Sequence, residues 1–331
     1  MSLEVFQIKH IDYEKMEKQK VSIVLTTFRK NPKLELMLEC LSRQTVKNFE
    51  FVLVDWLFEQ RQDYIKKLSE KYKIPIVHVG RDTKGASRAM NIGIINSSGD
   101  YILHINDCTY ITNRWVEKHL LICMNNAMGL GPRYFVFSND FPIEKYLTGY
   151  INIPAELEKD KLDWIYKRTG VDKYLIVQMG EHQIVSPQDL RLIGLPNDFI
   201  EGENIILSVL PGHSYGGNMS APTEMYLEVN GFNEELDNGY GYPDCELGIR
   251  LYNNKKKLFL NTSNWFVEVQ DKDHEDVFSF IPKMNNEEAF NHNLKLYEKA
   301  CNENKTWVNL NINLREIRKK ILEGKYKNGN K

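Results

Sequence analysis

Short apolar runs alternate with longer amphipathic stretches along the first part of the chain. The apolar runs are rich in Val, Ile and Leu, which is typical of strands buried on both faces of a parallel sheet. They cover residues 21–28, 49–55, 74–80 and 101–105. Apolar residues at helical spacing follow them and predict helices at 34–41, 64–72, 87–96 and 113–124, the first of them capped by Asn31-Pro32.

Strands and helices that alternate in this way predict βαβ units and a mostly parallel sheet flanked by helices. Ligands bind such sheets at the carboxyl ends of the strands. Two of these ends carry an acid, Asp55 after the second strand and Asp107 after the fourth. A carboxylate at such an end is suited to accept from a nucleobase N–H or to hold Mg²⁺ beside a phosphate, and equally to cap the turn that follows.

The second half of the chain contains a segment rich in glycine and acids, at 212–252. Pro243 predicts the start of a helix whose first turn holds Asp244 and Glu246, where the helix dipole favours negative charge. His274 follows in an acidic loop, either as a metal ligand or as a solvated residue. One or two strands precede that loop, and the C-terminal part is helical.

Composition narrows the class of protein. The 331 residues carry 43 Lys and Arg against 45 Asp and Glu, a net charge of −2, which argues against a nucleic-acid partner. The chain has no apolar stretch of bilayer length and a charged N-terminus, so we expect a cytoplasmic protein. The five cysteines form no CxxC pair, and no GxGxxG, phosphate-loop or GxSxG motif occurs.

Four stretches taken together resemble a known family. VSIVLTTFRK, FVLVD and GASRAMNIGIINSSGDYILHINDC follow one another as in the nucleotide-binding half of family 2 glycosyltransferases with the A-type (GT-A) fold. GGNMSAPTEMYLEVNGFNEELDNGYGYPDCELGIRL resembles their acceptor-side segment, and is also similar to a C-terminal segment of galactosyl- and N-acetylgalactosaminyltransferases. The resemblance implies an α/β fold with a Rossmann-like, mostly parallel sheet, an acceptor-side region and a helical C-terminal extension.

The resemblance also implies roles for individual residues. Asp244 matches the general base of inverting members, and Asp55 matches the acid that contacts the base of the nucleotide. The donor-binding positions it implies are Thr26, Phe28, Asp55, Asn91 and Asp107. The acceptor-side positions are Gly217, Asn218 and Glu246, and the ligands of a divalent cation, Mn²⁺ or Mg²⁺, are Asp107 and His274.

The sequence departs from the family pattern at the metal motif. Asn106 and Cys108 replace the two outer aspartates of Asp-any-Asp, and Met90 replaces the arginine of Ala-Arg-Asn, although Arg88 is close by. Pro243 replaces the glutamate before the base. Metal dependence therefore stays open, and a retaining transferase or a non-catalytic nucleotide-sugar-binding protein are alternatives to an inverting enzyme.

The expected reaction moves a sugar from a nucleoside-diphosphate sugar, with UDP favoured, to a hydroxyl of a glycan, a lipid-linked or another acceptor, as in polysaccharide biosynthesis. We expect a lead-in at 1–20, a nucleotide-sugar-binding half at 21–125, an acceptor-side half at 126–290 and a helical extension at 291–331. From Arg315 to Lys331 the extension has seven Lys or Arg against two Glu. This predicts peripheral contact with the inner face of an anionic membrane, a solvated terminal helix being the alternative.

Overall fold

The computed structural model describes residues 5–7, 11–30, 32–82, 85–131, 133–137, 205–208, 212, 214, 216–239, 241–261, 264, 266–270 and 286–324. Within them, twelve strands form two sheets. The strands are β1 (Val5–Gln7), β2 (Val21–Thr27), β3 (Phe49–Asp55), β4 (Ile76–Gly80), β5 (Tyr101–Ile105), β6 (Thr109–Ile111), β7 (Ala127–Leu130), β8 (Arg133–Phe137), β9 (Ile205–Ser208), β10 (Asn218–Pro222), β11 (Lys257–Asn261) and β12 (Phe266–Gln270).

The larger sheet has the strand order β1-β9-β11-β7-β10-β5-β2-β3-β4 among the described residues. The strands β4, β3, β2 and β5 are parallel, whereas β10 is antiparallel to both of its neighbours, β5 and β7. β11 is parallel to β7, and β9 is antiparallel to β11 and to β1. The prediction of a mostly parallel sheet is therefore confirmed, with β9 and β10 reversed. The smaller sheet has the order β6-β12-β8.

Helices cover both faces of the larger sheet. They are α1 (Tyr13–Glu17), α2 (Leu34–Ser42), α3 (Phe58–Tyr72), α4 (Ala86–Asn96), α5 (Trp115–Cys123), α6 (Thr223–Glu228), α7 (Pro243–Asn253), α8 (Asn286–Asn302) and α9 (Leu314–Leu322), with a 3₁₀ helix at Glu234–Asn238. One apolar cluster packs α2, α3 and α5 against one face, and another packs α4, α6, α7 and α9 against the opposite face. Successive residues of β2 alternate between the clusters, Val24 in one and Leu25 in the other, which explains the continuous apolar run.

The start of α2 differs from the prediction of an Asn31-Pro32 cap. The helix begins at Leu34, with Lys33 as its N-cap residue and no side-chain cap bond. Leu34 N–H donates to the Pro32 carbonyl at 2.8 Å, so the chain completes a short turn before the helix begins. Asn31 lies outside the described residues.

The charged lead-in contributes to the fold. β1 pairs antiparallel with β9 at one edge of the larger sheet, and α1 buries Met16 in the core. A three-residue strand is too short to show a periodic pattern, which is why the sequence does not indicate it.

The C-terminal helix α9 docks on α4. Leu314 is buried, and Arg318 donates to the carbonyls of Ser97 and Gly99, which follow the last turn of α4. Cations at a helix C-terminus are favoured by the helix dipole. Arg315 pairs with Glu224 of α6. Among the residues that the structure describes, no helix has the length and apolar character needed to cross a bilayer.

Candidate active site

The carboxyl ends of the parallel strands meet at one edge of the sheet. Thr27 is in register with Asp55, and Asp55 with Gly80, so the ends of β2, β3 and β4 are level. Leu25 pairs with Ile105, which brings Asp107, two residues after β5, to the same edge. The two acids that follow strands in the sequence, Asp55 and Asp107, therefore lie at one edge of the sheet.

Asp107 is held by the residues that end β2. Thr27 Oγ1 donates to Asp107 Oδ2 at 2.7 Å, and Arg29 Nε lies 3.0 Å from Oδ1. The exposed fractions of the Arg29 and Asp107 side chains are 7% and 13%, so this ion pair is largely withdrawn from water. A nearly buried pair is costly to break because it leaves one charge unpartnered.

Asp55 is completely buried, and protein groups contact both of its carboxylate oxygens. Oδ1 accepts from Leu57 N–H at 2.9 Å and from Arg61 Nη1 at 2.7 Å, and His78 Nε2 lies 3.2 Å from Oδ2. Burial alone raises the pKa of Asp55, but the hydrogen bonds from His78 and Leu57 and the charge of Arg61 outweigh it, and the pKa lies below its usual value. This carboxylate is thus a fixed anion that orients its neighbours.

A third buried arginine, Arg81, follows the end of β4. Its N–H donates to the Asp55 carbonyl at 3.3 Å and its Nη2 to the Gly85 carbonyl at 2.8 Å. Burial lowers the pKa of Arg81 to about 10, opposed by the charges of Asp237 and Asp55. A guanidinium remains protonated at neutral pH even so, and the sheet edge therefore carries buried positive charge beside its acids.

Two glycines, Gly216 and Gly217, lie between Asp244 and this edge of the sheet. Gly216 N–H donates to Asp244 Oδ2 at 2.6 Å, and a Cβ on Gly216 would lie 2.5 Å from that carboxylate. Gly217 has a φ of +85°, and a Cβ there would lie 2.4 Å from the Asn106 side chain. A side chain at Gly216 would displace the Asp244 carboxylate, and the positive φ of Gly217 favours glycine there in any case.

Asn91, on α4, binds the backbone of a turn. Its Nδ2 donates to the Phe232 carbonyl and to Glu234 Oε1, both at 2.9 Å, and its Oδ1 accepts from Phe232 N–H at 2.8 Å. The exposed fraction of Asn91 is 2%. In this arrangement the Asn91 amide fastens the Gly231-Phe232 turn to α4, and the donor contact implied by the resemblance stays a prediction.

Two of the three acceptor-side residues point into the core. Asn218 Oδ1 accepts from Trp115 Nε1 at 2.8 Å, and its Nδ2 donates to the Asn264 carbonyl at 2.9 Å. Glu246 is completely buried beside Arg250, whose Nε donates to both carboxylate oxygens at 2.9 Å. Of the acceptor-side residues, Gly217 alone lines the turn beside Asp244.

The remaining sequence-derived residues are Thr26, Phe28 and His274. Thr26 and Phe28 are partly buried at the end of β2, and the residue between them, Thr27, makes the bond to Asp107. His274 lies outside the described residues. The roles implied for these three residues stay predictions.

Sequence reasoning missed the cations and one acid of this region. Arg29 and Arg81 follow strand ends, the position that drew attention to the acids, and this signal was available. No signal in the sequence indicated Asp237. Its carboxylate accepts from the backbone N–H groups of Ser87 and Arg88 at 2.8 and 2.9 Å, and so caps α4 from about 150 residues further along the chain. Burial raises the pKa of Asp237 and these bonds lower it in part.

The described strands form a parallel sheet with polar strand ends and an antiparallel strand, β10, that follows a Gly-Gly turn beside a second acid, as expected for a protein of the GT-A class. Residues 22–173 match the model of the family described as glycosyl transferase family 2. This match, over less than half of the chain, confirms the prediction of a family 2-like GT-A protein.

Parts of the chain are similar to two curated proteins. The chain is 27% identical over 240 residues to a hyaluronan synthase of Pasteurella multocida, covering 70% of this chain and 22% of that protein. It is 31% identical over 99 residues to the uncharacterized glycosyltransferase YwdF of Bacillus subtilis strain 168, covering 30% of this chain and 36% of that protein. The chain spans well under two thirds of each of these proteins.

Similarity to a solved structure concerns the fold. A crystal structure of GalNAc-T7 with UDP, GalNAc and Mn²⁺ has a TM-score of 0.51 and 14% identity, covering 76% of this chain and 43% of that one. At this identity the likeness confirms the α/β fold and leaves the ligands of this chain to be inferred from its own residues.

Proposed function

We propose that the chain transfers a sugar from a nucleoside-diphosphate sugar to an acceptor hydroxyl, with inversion at the anomeric carbon. The observation that carries this proposal is the Gly216-Gly217 turn, which joins one acid, Asp244, to the loop of another, Asp107. The names of the relatives support a glycosyltransferase, and the UDP in the GalNAc-T7 structure makes UDP-sugars the first donors to test. The acceptor class, a glycan or lipid-linked hydroxyl, remains part of the proposal.

Each acid has a separate task in this reaction. Asp244 takes the proton of the acceptor hydroxyl while the oxygen of that hydroxyl forms a bond to the anomeric carbon. The bond from that carbon to the diphosphate breaks, and the diphosphate leaves with the electron pair on the side of Asp107. Negative charge develops on the leaving diphosphate and needs a fixed cation nearby. A single displacement of this kind inverts the anomeric centre.

The test uses the full chain with UDP-, GDP- and CDP-sugars, and follows both transfer and donor hydrolysis. Positioned general bases contribute roughly a hundredfold or more to rate. We expect Asp244→Asn to lower turnover by about that factor and to leave donor affinity within about twofold. Glu235→Gln, an exposed acid of the 3₁₀ helix, is the matched control and keeps wild-type turnover.

Each alternative has its own signature in the same experiment. NMR of the product separates inversion from retention, and retention would replace this mechanism with a retaining one. Donor binding without transfer or hydrolysis would make the chain a non-catalytic nucleotide-sugar-binding protein. Turnover of Asp244→Asn within a few-fold of wild type would remove Asp244 as the base.

Peripheral membrane contact belongs to the proposal through the basic end of the chain. Arg315 and Arg318 are engaged with Glu224 and with the end of α4, so the exposed Lys319 and Lys320 are the residues to test. Co-sedimentation with vesicles containing phosphatidylserine would compare the full chain with Lys319→Gln/Lys320→Gln. Weaker sedimentation of the variant supports the contact, and equal sedimentation of variant and wild type rules out a role for these lysines.

A further inference from the structure

Among the described residues, those around Asp107 do not form the divalent-cation site that the family resemblance implies; His274 lies outside them. The two oxygens of its carboxylate face Arg29 Nε at 3.0 Å and Thr27 Oγ1 at 2.7 Å. Its neighbour Cys108 is buried in a left-handed conformation with a φ of 60°. In the part of the chain that the structure describes, no three carboxylate, imidazole or thiol side chains come together as a metal-binding group.

A divalent ion bound to the Asp107 carboxylate would lie close to the positively charged guanidinium of Arg29. Mg²⁺ and Mn²⁺ bind protein through oxygen ligands, and carboxylates supply most of the charge that holds them. Here the one carboxylate of the Asn106-Asp107-Cys108 triplet is already neutralised by Arg29. An incoming cation would have to displace that arginine and leave it nearly buried without its partner, which is costly.

Three hydrogen bonds hold the backbone around Arg29. Arg29 N–H donates to Thr27 Oγ1 at 3.2 Å. Arg61 Nη2 donates to the carbonyls of Arg29 and Lys30, the second at 2.7 Å. Arg61 is held in turn by Asp55 Oδ1 at 2.7 Å. The guanidinium of Arg29 is therefore held at the carboxyl edge of the sheet before any ligand arrives.

We propose that Arg29, kept in place by its ion pair with Asp107, donates hydrogen bonds to the diphosphate of the donor in this chain, where a divalent cation would otherwise bind. Asp107 then acts as a positioning residue that aims the guanidinium, and Thr27 orients Asp107. A guanidinium is always charged at neutral pH and matches phosphate oxygens with a planar fork of donors. Arg81, which follows the end of β4, adds a second buried positive charge to the same edge.

This inference rests on the proposed function, because it concerns the donor of that reaction. In the transfer step no proton or electron moves to Arg29. Hydrogen bonds from the guanidinium stabilise the phosphate oxygens that gain negative charge when the bond between the diphosphate and the sugar breaks. It follows that donor binding and transfer proceed in the presence of a chelator.

The decisive measurement is the affinity of the full chain for UDP and for uridine, determined by calorimetry in the presence of EDTA and again in the presence of Mn²⁺. If UDP does not bind, GDP with guanosine and CDP with cytidine replace the two ligands. We expect the affinity for the diphosphate to agree within about twofold between the two conditions. We expect Arg29→Gln to weaken diphosphate binding about tenfold or more and nucleoside binding by no more than about twofold. Lys20→Gln removes an exposed charge at the opposite end of β2 and keeps the wild-type affinities.

Two further variants guard against a failure to fold. Arg29→Lys retains the charge without the planar fork and should recover part of the lost diphosphate affinity. Arg29→Gln/Asp107→Asn removes both partners, so no buried charge is left alone, and should bind the diphosphate as weakly as Arg29→Gln. Electron paramagnetic resonance of Mn²⁺ titrated with the protein and the diphosphate should show no protein-bound ion.

The outcomes that overturn the inference differ from those that overturn the proposed function. Diphosphate binding that EDTA abolishes and Mn²⁺ restores refutes the role of Arg29 and leaves the transferase intact. Wild-type diphosphate affinity in Arg29→Gln also refutes it. Failure of all three nucleoside diphosphates and their sugars to bind under either condition refutes the proposed function, and the inference with it.

Discussion

Replacing Glu246 should test whether the carboxylate stabilises the fold or contacts an acceptor. In the structure, Glu246 and Arg250 are both completely buried on α7, one turn apart. Arg250 Nε donates to both oxygens at 2.9 Å, Nη2 lies 2.8 Å from Oε2, and Nη1 donates to the Val229 carbonyl at 2.8 Å. Glu246→Gln leaves the guanidinium charge in the core with no anion beside it.

The expected cost follows from this burial. Removing one partner of a buried ion pair destabilises a protein by about 3–5 kcal/mol. Domains commonly have about 5–15 kcal/mol of stability in total, so the variant loses a large share of it. A change of this size corresponds to a fall in melting temperature on the order of 10 °C. Thermal unfolding followed by circular dichroism measures the fall directly.

The control lies two residues earlier on the same helix. Asp244→Asn removes a charge from a partly buried position, and the amide oxygen still accepts from Gly216 N–H. We expect it to change the free energy of unfolding by only about 1 kcal/mol or less, the usual size of a charge effect at a helix N-terminus. Glu246→Gln should thus affect stability, and Asp244→Asn should affect turnover.

A double variant completes the test. Glu246→Leu/Arg250→Met removes both charges together and should recover most of the stability that Glu246→Gln loses, because apolar side chains of similar volume replace buried pairs well. Glu246→Gln protein with a wild-type melting temperature and weakened acceptor binding would refute this reasoning. It would return Glu246 to the acceptor side.

Three other predictions follow from the described contacts. His104→Phe should make the free energy of unfolding less sensitive to acid. Burial lowers the pKa of His104 to about 3, so wild-type stability falls by about 1.4 kcal/mol per pH unit through this group as the pH falls from 6.5 towards 3. Urea denaturation at several pH values measures this loss, and an equal loss in the variant would contradict the prediction. Asn91→Ala should lower the free energy of unfolding by about 2–4 kcal/mol through its lost bonds to Phe232, measured by urea denaturation, and weaker UDP binding at unchanged stability would contradict it. Gly216→Ala should lower turnover about tenfold or more with unchanged donor affinity, because its Cβ would displace the Asp244 carboxylate, and wild-type turnover would show that this contact is irrelevant.

The sequence by itself predicted the repeated βα units and the sheet edge where ligands bind. Strands buried on both faces are apolar along most of their length, as residues 51–54 show, and such a run can be recognised in the sequence without any knowledge of its partners. The ends of parallel strands meet at one edge whatever their sequence, so Asp55 and Asp107 were placed together correctly. The same logic would have found Arg29 and Arg81 had cations been considered beside the acids.

What these acids contact was decided by tertiary structure. Asp244 and Glu246 look equivalent in the sequence, but residues two apart in a helix project roughly 200° apart, so one faces the Gly216 turn and the other faces the core. Asp237 caps a helix about 150 residues away, a pairing that no local pattern encodes. Secondary-structure propensity and the pattern of buried positions can be recognised in the local sequence. Ion pairs and helix caps between distant residues form only when the folded sheet brings those residues together.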